Sequence, residues 1–244
     1  LLMSQVSLRG IIDATEIGSS TIYAKINFFY DQCRKFSQAK EKKIKSTNFK
    51  SLKISSDHQF YQTNWRAKGD DEFNVQLYNL SSTDNDSGYV FVSSLNFDPQ
   101  VISEEINKHA LAIGDLNKCI PHRHYARYIL NDDYGNDKDL QKESPIKARF
   151  RNKPTKGMQI YKTYTMFAHF LHLRELLGKT KYLTLYNDYD PALKSVIAPI
   201  FANRIKNNTL EAYALGFSYH AKGESRKKKE LKAKQIKEQF EEAQ

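Results

Sequence analysis

The sequence predicts an α/β fold: a mixed five-stranded sheet with helices on both sides, preceded by two N-terminal helices. Two observations lead there. Apolar residues alternate in three successive short runs between Leu52 and Leu95, the period of half-buried strands. From Gly157 onward the pattern becomes helix, strand, helix, strand, helix. Strands grouped first and alternating units afterwards build an antiparallel meander continued by parallel strands.

The elements follow in order. Ser7 to Thr15 reads as a short helix with Leu8, Ile11, Ile12 and Ala14 inward. Glu16-Ile17-Gly18 is a turn in which Gly18 is expected to take positive φ. Ser19 or Ser20 caps a second helix that buries Ile22, Ile26, Phe29 and Tyr30. This spacing is that of a helix-turn-helix, and Thr21, Tyr23, Lys25 and Asn27 become candidate contacts to phosphates or base edges. An ordinary helical hairpin has the same pattern. Phe36 to Lys50 continues as a charged stretch ending in the polar linker Ser46-Thr47-Asn48. Residues 1–45 are thus read as a DNA-binding region with a linker helix, and 50–244 as the core.

Within the core, Leu52 and Ile54 lead a first strand into Asp57, Phe73 to Leu80 form a second, and Tyr89 to Leu95 a third. The turn Asp84-Asn85-Asp86-Ser87-Gly88 joins the last two. Residues 99–156 break the rhythm and read as an insertion: Val101 to Leu116 looks helical, Arg123 to Leu130 is a further helical candidate, and Asn131 to Arg151 is polar and irregular. Gly157 is expected to start a helix burying Ile160, Tyr164, Phe167, Ala168, Leu171 and Leu176 and ending near Gly178. Tyr182 to Tyr186 is a strand, Pro191 opens a helix running to about Lys206, and Leu210 to Tyr219 is the last strand. Glu224 opens a long charged helix.

The 244 residues carry a net charge of +10, concentrated in two blocks. Lys40 to Lys53 holds six Lys against Glu41, and Lys222 to Lys234 holds seven Lys or Arg against Glu224 and Glu230, a net +5 in each. Two dense blocks point to a polyanion, with two solvated helix faces as the plainer alternative. Cys33 and Cys119 lie far apart and imply neither a disulfide framework nor a cysteine zinc module, so a reducing cytoplasm is expected. No apolar run reaches the ~18 residues of a membrane span. The start lacks the features of a signal peptide and lacks Met at position 1, as a piece of a longer protein would.

Asp57, Asp188 and Glu224 each stand where a strand pattern ends or a helix pattern begins. Three carboxylates from separate elements can converge on divalent cations, which phosphoryl transfer needs. With the basic surface, this points to an enzyme that cuts and joins nucleic acid. Each acid has a rival reading. Asp57 can be a surface carboxylate at a strand end. Asp190 competes with Asp188 but can instead cap the helix begun by Pro191. Glu224 can complement a helix N-terminus, and Glu230 is a second candidate. Asp84 and Asp86 read as turn residues. Lys222, Arg226, Lys227 and Lys228 flank Glu224, where cations can hold a DNA backbone. His122, His124 and Cys119 lack a second ligand pair for zinc, and His169, His172 and Trp65 read as packing residues.

This order of elements and acids resembles the ribonuclease-H-like core of transposases and retroviral integrases, the Asp-Asp-Glu recombinases. Asp86-Ser87-Gly88-Tyr89 lies at the second-to-third strand turn, where integrase-type sequences carry an Asp and a Ser. Thirty-five residues separate Asp188 from Glu224 (224 − 188 − 1), a spacing shown by many insertion-element transposases. An upstream helix-turn-helix is also typical of them. The 131 positions between Asp57 and Asp188 depart from compact members, which the insertion at 99–156 accounts for. The resemblance covers about Lys50 to the C-terminus. It implies that Asp57, Asp188 and Glu224 hold two Mg²⁺ or Mn²⁺ ions. It further implies metal-dependent cleavage and strand transfer of a mobile DNA element, by a homo-oligomer on DNA in a bacterial, nucleoid-associated setting. A catalytically inactive DNA-binding regulator of the same fold and a structure-specific nuclease are the alternatives.

Overall fold

Alternation decides which side of the sheet is buried. Leu52 and Ile54 share a face with Leu183 and Leu185, and all four side chains are buried in one cluster with Tyr78, Leu80, Phe91 and Val92. The computed structural model describes residues 6–66, 72–133 and 156–216. The chain opens with helices α1 (Leu8–Thr15) and α2 (Ser19–Ser46), followed by strands β1 (Ser51–Arg66), β2 (Glu72–Asp84) and β3 (Val90–Leu95). Then come β4 (Phe97–Ile102), α3 (Ser103–Ala112), β5 (Lys156–Gln159), α4 (Lys162–Leu176) and β6 (Tyr182–Asp188). Helices α5 (Pro191–Ile200) and α6 (Ala202–Lys206) and strand β7 (Leu210–Leu215) follow.

The five-stranded sheet has the order β3-β2-β1-β6-β7. β1 pairs antiparallel with β2 from Ile54↔Asp84 to Arg66↔Glu72, and parallel with β6 from Ser51↔Tyr182 to Ser56↔Asn187. The sheet is therefore mixed, as the pattern predicts, but its described helices do not divide between the two sides as expected. α4 and α5 both pack on the Leu52–Leu185 face, through Met166, Phe170, Leu173 and Leu176 and through Leu193, Val196, Ile197 and Ile200. The helix expected from Glu224 lies outside the described residues.

Two clamps hold α4, one at its C-terminal end and one against the sheet. Arg204 Nη2 donates to the carbonyls of Leu177, Gly178 and Thr180 at 2.8–3.1 Å, satisfying acceptors that the end of α4 leaves open. On the sheet side, buried His169 accepts or donates at both ring nitrogens, to Ser82 Oγ at 2.7 Å and Ser94 Oγ at 3.0 Å, while Ser82 also meets Ser56 Oγ at 2.7 Å. Burial, and after it His172, lowers the His169 pKa to about 3, so the ring is neutral. His169 is the packing residue the sequence suggested.

The region after β3 departs from expectation at both ends. A helix was expected from Val101; the chain first forms β4 and turns helical only at Ser103. A helix was expected from Gly157; instead 156–159 pairs antiparallel with β4, and α4 starts at Lys162. Gly157 has φ of 90°, outside any helix, and a Cβ there would stand 2.3 Å from the Phe97 ring. Ile106, Ala110, Tyr128, Leu130 and Met158 form a second small core. Arg123 to Leu130 is not a helix, because buried carboxylates take its backbone N–H groups. Asp115 accepts from His124 N and Tyr125 N, and Asp133 accepts from Leu130 N and pairs with Arg123 at 2.7 Å. Burial alone would push the Asp115 carboxyl up, but these two N–H donors, helped by Lys118 and Arg123, hold it below its usual value. The expected helix from Pro191 to about Lys206 is broken at Phe201, just past Pro199.

The N-terminal pair also differs in detail. Glu16, not Gly18, takes the left-handed conformation (φ 56°), since the cap of α1 must follow directly on Thr15. Gly18 is extended and precedes α2. Ser7 caps α1, its Oγ accepting from Gly10 N at 3.1 Å. Ile11 and Ile22 are buried, but Ala14, Phe29 and Tyr30 are exposed rather than inward. The eight residues of α1 extend only about 12 Å and cannot cover α2 beyond its first turns. The far end of α2 is anchored to the core by Ile44, by Lys45–Glu175 at 2.6 Å and by the approach of Glu41 to His172. No helix among the described residues is long and apolar enough to cross a membrane.

Candidate metal centre

The β1–β6 ladder ends at Ser56↔Asn187, so the next residue on each strand, Asp57 and Asp188, stands where the two strands part. β1 continues past this point paired only with β2 on its other side, while β6 stops. Such a fork outside the carboxyl ends of neighbouring parallel strands is where open α/β sheets bind ligands. Asp57 and Asp188 are adjacent by register, although 131 positions separate them in the sequence.

His58 completes the cluster. One donor atom from each of Asp57, His58 and Asp188 lies within 4.8 Å of the other two. An octahedral ion with bonds of about 2.1 Å has cis donors about 3 Å and trans donors about 4.2 Å apart, so the three must draw closer together to share one centre. His58 N also donates to Asp57 Oδ1 at 2.7 Å. Burial, the neighbouring Asp57 charge and a hydrogen bond with Asp57 raise the Asp188 pKa, while His58 opposes the rise. The resistance of Asp188 to ionising beside Asp57 is what a cation would relieve.

Asp190 has a different task. Its Oδ1 accepts from Ala192 N at 2.8 Å and caps α5, and its own N–H donates to Asp188 O at 2.7 Å. Of the two rival acids, the structure thus places Asp188 beside Asp57 and uses Asp190 as a cap. Asp84 is a turn residue, accepting from Ser87 N at 2.9 Å and Ser87 Oγ at 2.6 Å.

Two buried polar atoms beside the acids have no hydrogen-bond partner: the Tyr78 hydroxyl and His58 Nδ1. Tyr78 is 2% exposed, and its ring stacks on His58 with centroids 5.5 Å apart. Burial first, then the charges of Asp190 and Asp57, push the Tyr78 phenol far up, so it remains a hydrogen-bond donor next to the carboxylates. A buried hydroxyl normally finds an acceptor, and one without it beside an acidic fork fits a bound ion with its water shell. The donor set is two carboxylates and an imidazole. Oxygen ligands suit Mg²⁺ or Mn²⁺, and the nitrogen shifts the balance toward Mn²⁺.

The remaining expected residues divide. Glu224 and the cations Lys222, Arg226, Lys227 and Lys228 lie outside the described residues, and Glu230 with them. Thr21, Tyr23, Lys25 and Asn27 are all exposed on α2, but residues two apart on a helix do not share a face. Thr21 and Lys25 point one way, Tyr23 and Asn27 nearly the opposite way, so the four do not make one recognition surface. His109, His124 and Tyr125 pack as an aromatic cluster, and they do not appear with Cys119 in a ligand group among the described residues. His58 and Tyr78 were missed by sequence reasoning. The only signal for His58 was its adjacency to Asp57, and strict alternation would send it to the other face. No known family model, curated protein or solved structure matches this chain.

Proposed function

We propose that this protein is a metal-dependent phosphoryl-transfer enzyme acting on DNA, a transposase that cleaves strands and joins them to a target through a ribonuclease-H-like core. The observation that carries the reading is the pairing of Asp57 with Asp188 at the fork of β1 and β6, in a sheet ordered β3-β2-β1-β6-β7. Asp57, Asp188 and His58 would hold a divalent ion, Mn²⁺ or Mg²⁺. Glu224 remains the proposed third acid and would complete a two-ion site. The ions would activate the attacking water or 3′ hydroxyl and stabilise the leaving oxygen, so no protein nucleophile is needed. DNA would be held by basic segments. α2 has seven Lys or Arg (Lys25, Arg34, Lys35, Lys40, Lys42, Lys43 and Lys45) against Asp31 and Glu41 (7 − 2 = +5), and 222–234 has the same excess. Counterion release would make that binding strongly salt-dependent.

The test is cleavage and strand transfer with end-labelled DNA in Mn²⁺ and in Mg²⁺, comparing wild type with Asp57→Asn, Asp188→Asn and Glu224→Gln. Loss of cleavage with DNA binding intact is expected. Undiminished cleavage by Asp188→Asn would refute the assignment.

A further inference from the structure

Helix α2 carries an apolar stripe that its own chain covers only at one end. Ile22, Ile26, Phe29, Cys33 and Phe36 recur at alternating steps of four and three, the seam spacing of helices that wind around each other. Ile22 is buried and Ile26 half-buried, where α1 lies alongside. Phe29 is 53% and Phe36 62% exposed, with exposed Cys33 between them. Beside this part of the stripe stand Tyr30, Gln32 and Ser37, none of them charged. Asp31, Arg34 and Lys35 fall on the far side of the helix, at about 100° per residue. Phe29, Tyr30 and Phe36 alone leave on the order of 300 Å² of ring surface uncovered, the size at which a patch marks an interface.

The pattern of the stripe selects what covers it. Between Ile26 and Phe36 it holds no cation for a phosphate backbone to contact. It does fit an apolar seam of the same spacing on another helix, and every copy of this chain carries one. Its ends fix the direction of pairing. Past Phe36 the same line runs into Lys40 and Lys43, and a parallel pair would set these cations against their own copies. An antiparallel pair carries them toward the other copy's α1 and its cap, where Asp13 and Glu16 outweigh Arg9. Centred at Asp31, that pair packs Phe29 against the partner's Cys33 and Ile26 against the partner's Phe36. A two-fold axis repeats both contacts.

We propose that α2 is the dimer contact of this protein, two copies pairing antiparallel through Ile26, Phe29, Cys33 and Phe36. This goes beyond the phosphoryl-transfer reading and does not depend on it. Two such faces with their flanks bury close to the ~1,000 Å² at which specific association begins, so dissociation in the micromolar range is expected.

The test is sedimentation equilibrium of the full chain, freed of nucleic acid and held in about 0.5 M salt to screen polyanion bridging. Wild type should fit a monomer–dimer equilibrium with a Kd of about 1–50 μM. Phe29→Gln and Phe36→Gln should each raise it roughly 30-fold, since each removes a half-covered ring from both copies. Phe28→Gln replaces a ring just as exposed (54%) but off the stripe, and should leave the Kd nearly unchanged. All three positions are exposed, so an unchanged Tm is expected and shows that any loss of dimer is not unfolding. Direction is read by mild oxidation of Gln32→Cys in a chain also bearing Cys33→Ser and Cys119→Ser. Antiparallel pairing holds position 32 of both copies on one side of the seam, so a disulfide-linked dimer should form; parallel pairing separates them. A wild type that stays monomeric up to about 200 μM would overturn the proposal. So would a dimer indifferent to Phe29→Gln and Phe36→Gln, an equal effect from Phe28→Gln, or a dimer that Gln32→Cys does not link.

Discussion

Replacing Asp188 by Asn should stabilise the metal-free protein while removing its response to divalent cations. Asp57 and Asp188 offer oxygens within 4.8 Å of each other. At that separation two unit charges repel by about 0.9 kcal/mol in a medium like water and about 3.5 kcal/mol at an effective dielectric of 20. Both side chains face solvent and His58 offsets part of the field, so the lower figure applies. The raised Asp188 pKa has the matching sign: its ionisation costs folded-state stability, a cost incurred as pH rises through the raised value and absent below the unfolded one. Asp188→Asn should therefore gain about 1 kcal/mol at neutral pH in EDTA, or roughly 2–4 °C in Tm for a chain of this size. A cation present at ten times its Kd stabilises wild type by about 1.4 kcal/mol through mass action, and the variant should lose that increment. Differential scanning calorimetry in EDTA and in Mn²⁺ measures both. A variant that melts below wild type in EDTA, or keeps the full Mn²⁺ increment, refutes the paired-acid site.

Three further outcomes follow from the same geometry. His169 is neutral when folded, with a pKa of about 3 against 6.5 unfolded, so between those values the unfolded chain binds the extra proton and stability falls as pH falls. Urea unfolding should give a stability roughly 2 kcal/mol lower at pH 5 than at pH 7, and an identical fall in His169→Gln would show the proton goes elsewhere. Gly157→Ala forces a side chain into positive φ and against the Phe97 ring, and should cost about 1–3 kcal/mol by thermal melting; a neutral result contradicts the β4–β5 pairing. Glu16→Gly should relieve the left-handed cap and stabilise the chain by up to about 1 kcal/mol, and a loss of stability would show that the cap is not strained.

Much of the sheet was legible in the sequence because its signal is local. The runs around Leu52–Ile54, Phe73–Leu80, Tyr89–Leu95 and Tyr182–Tyr186 each contain a strand, and the order β-β-β then α-β-α-β fixes an antiparallel start with a parallel continuation. Asp188 was legible as a strand-end acid, whereas Asp57 lies within a strand that runs on to Arg66, and their adjacency belongs to the β1–β6 register, which no single segment encodes. The failures have one physical source, contacts from elsewhere overriding local preference. Gly157, read as a helix start, instead takes positive φ within a strand that pairs with β4. Arg123 to Leu130 loses its helix because Asp115 and Asp133 claim the backbone donors. Phe29 and Tyr30 carry helix-periodic apolarity, yet nothing in α1 is long enough to cover them. His58 and Tyr78 join the site through ring stacking across strands, a relation absent from sequence spacing.

The unbroken run of α2 has a mechanical corollary. From Ile22, where α1 rests, to Ile44, where the core begins, 22 helical steps measure about 33 Å, close to one turn of B-form duplex. A stiff rod of that length acts as a ruler. It would hold whatever the amino-terminal helices contact at a fixed distance from the module that bears the acids, and, on the DNA-cleaving function proposed above, inserting or deleting residues along the rod should shift where strands are cut.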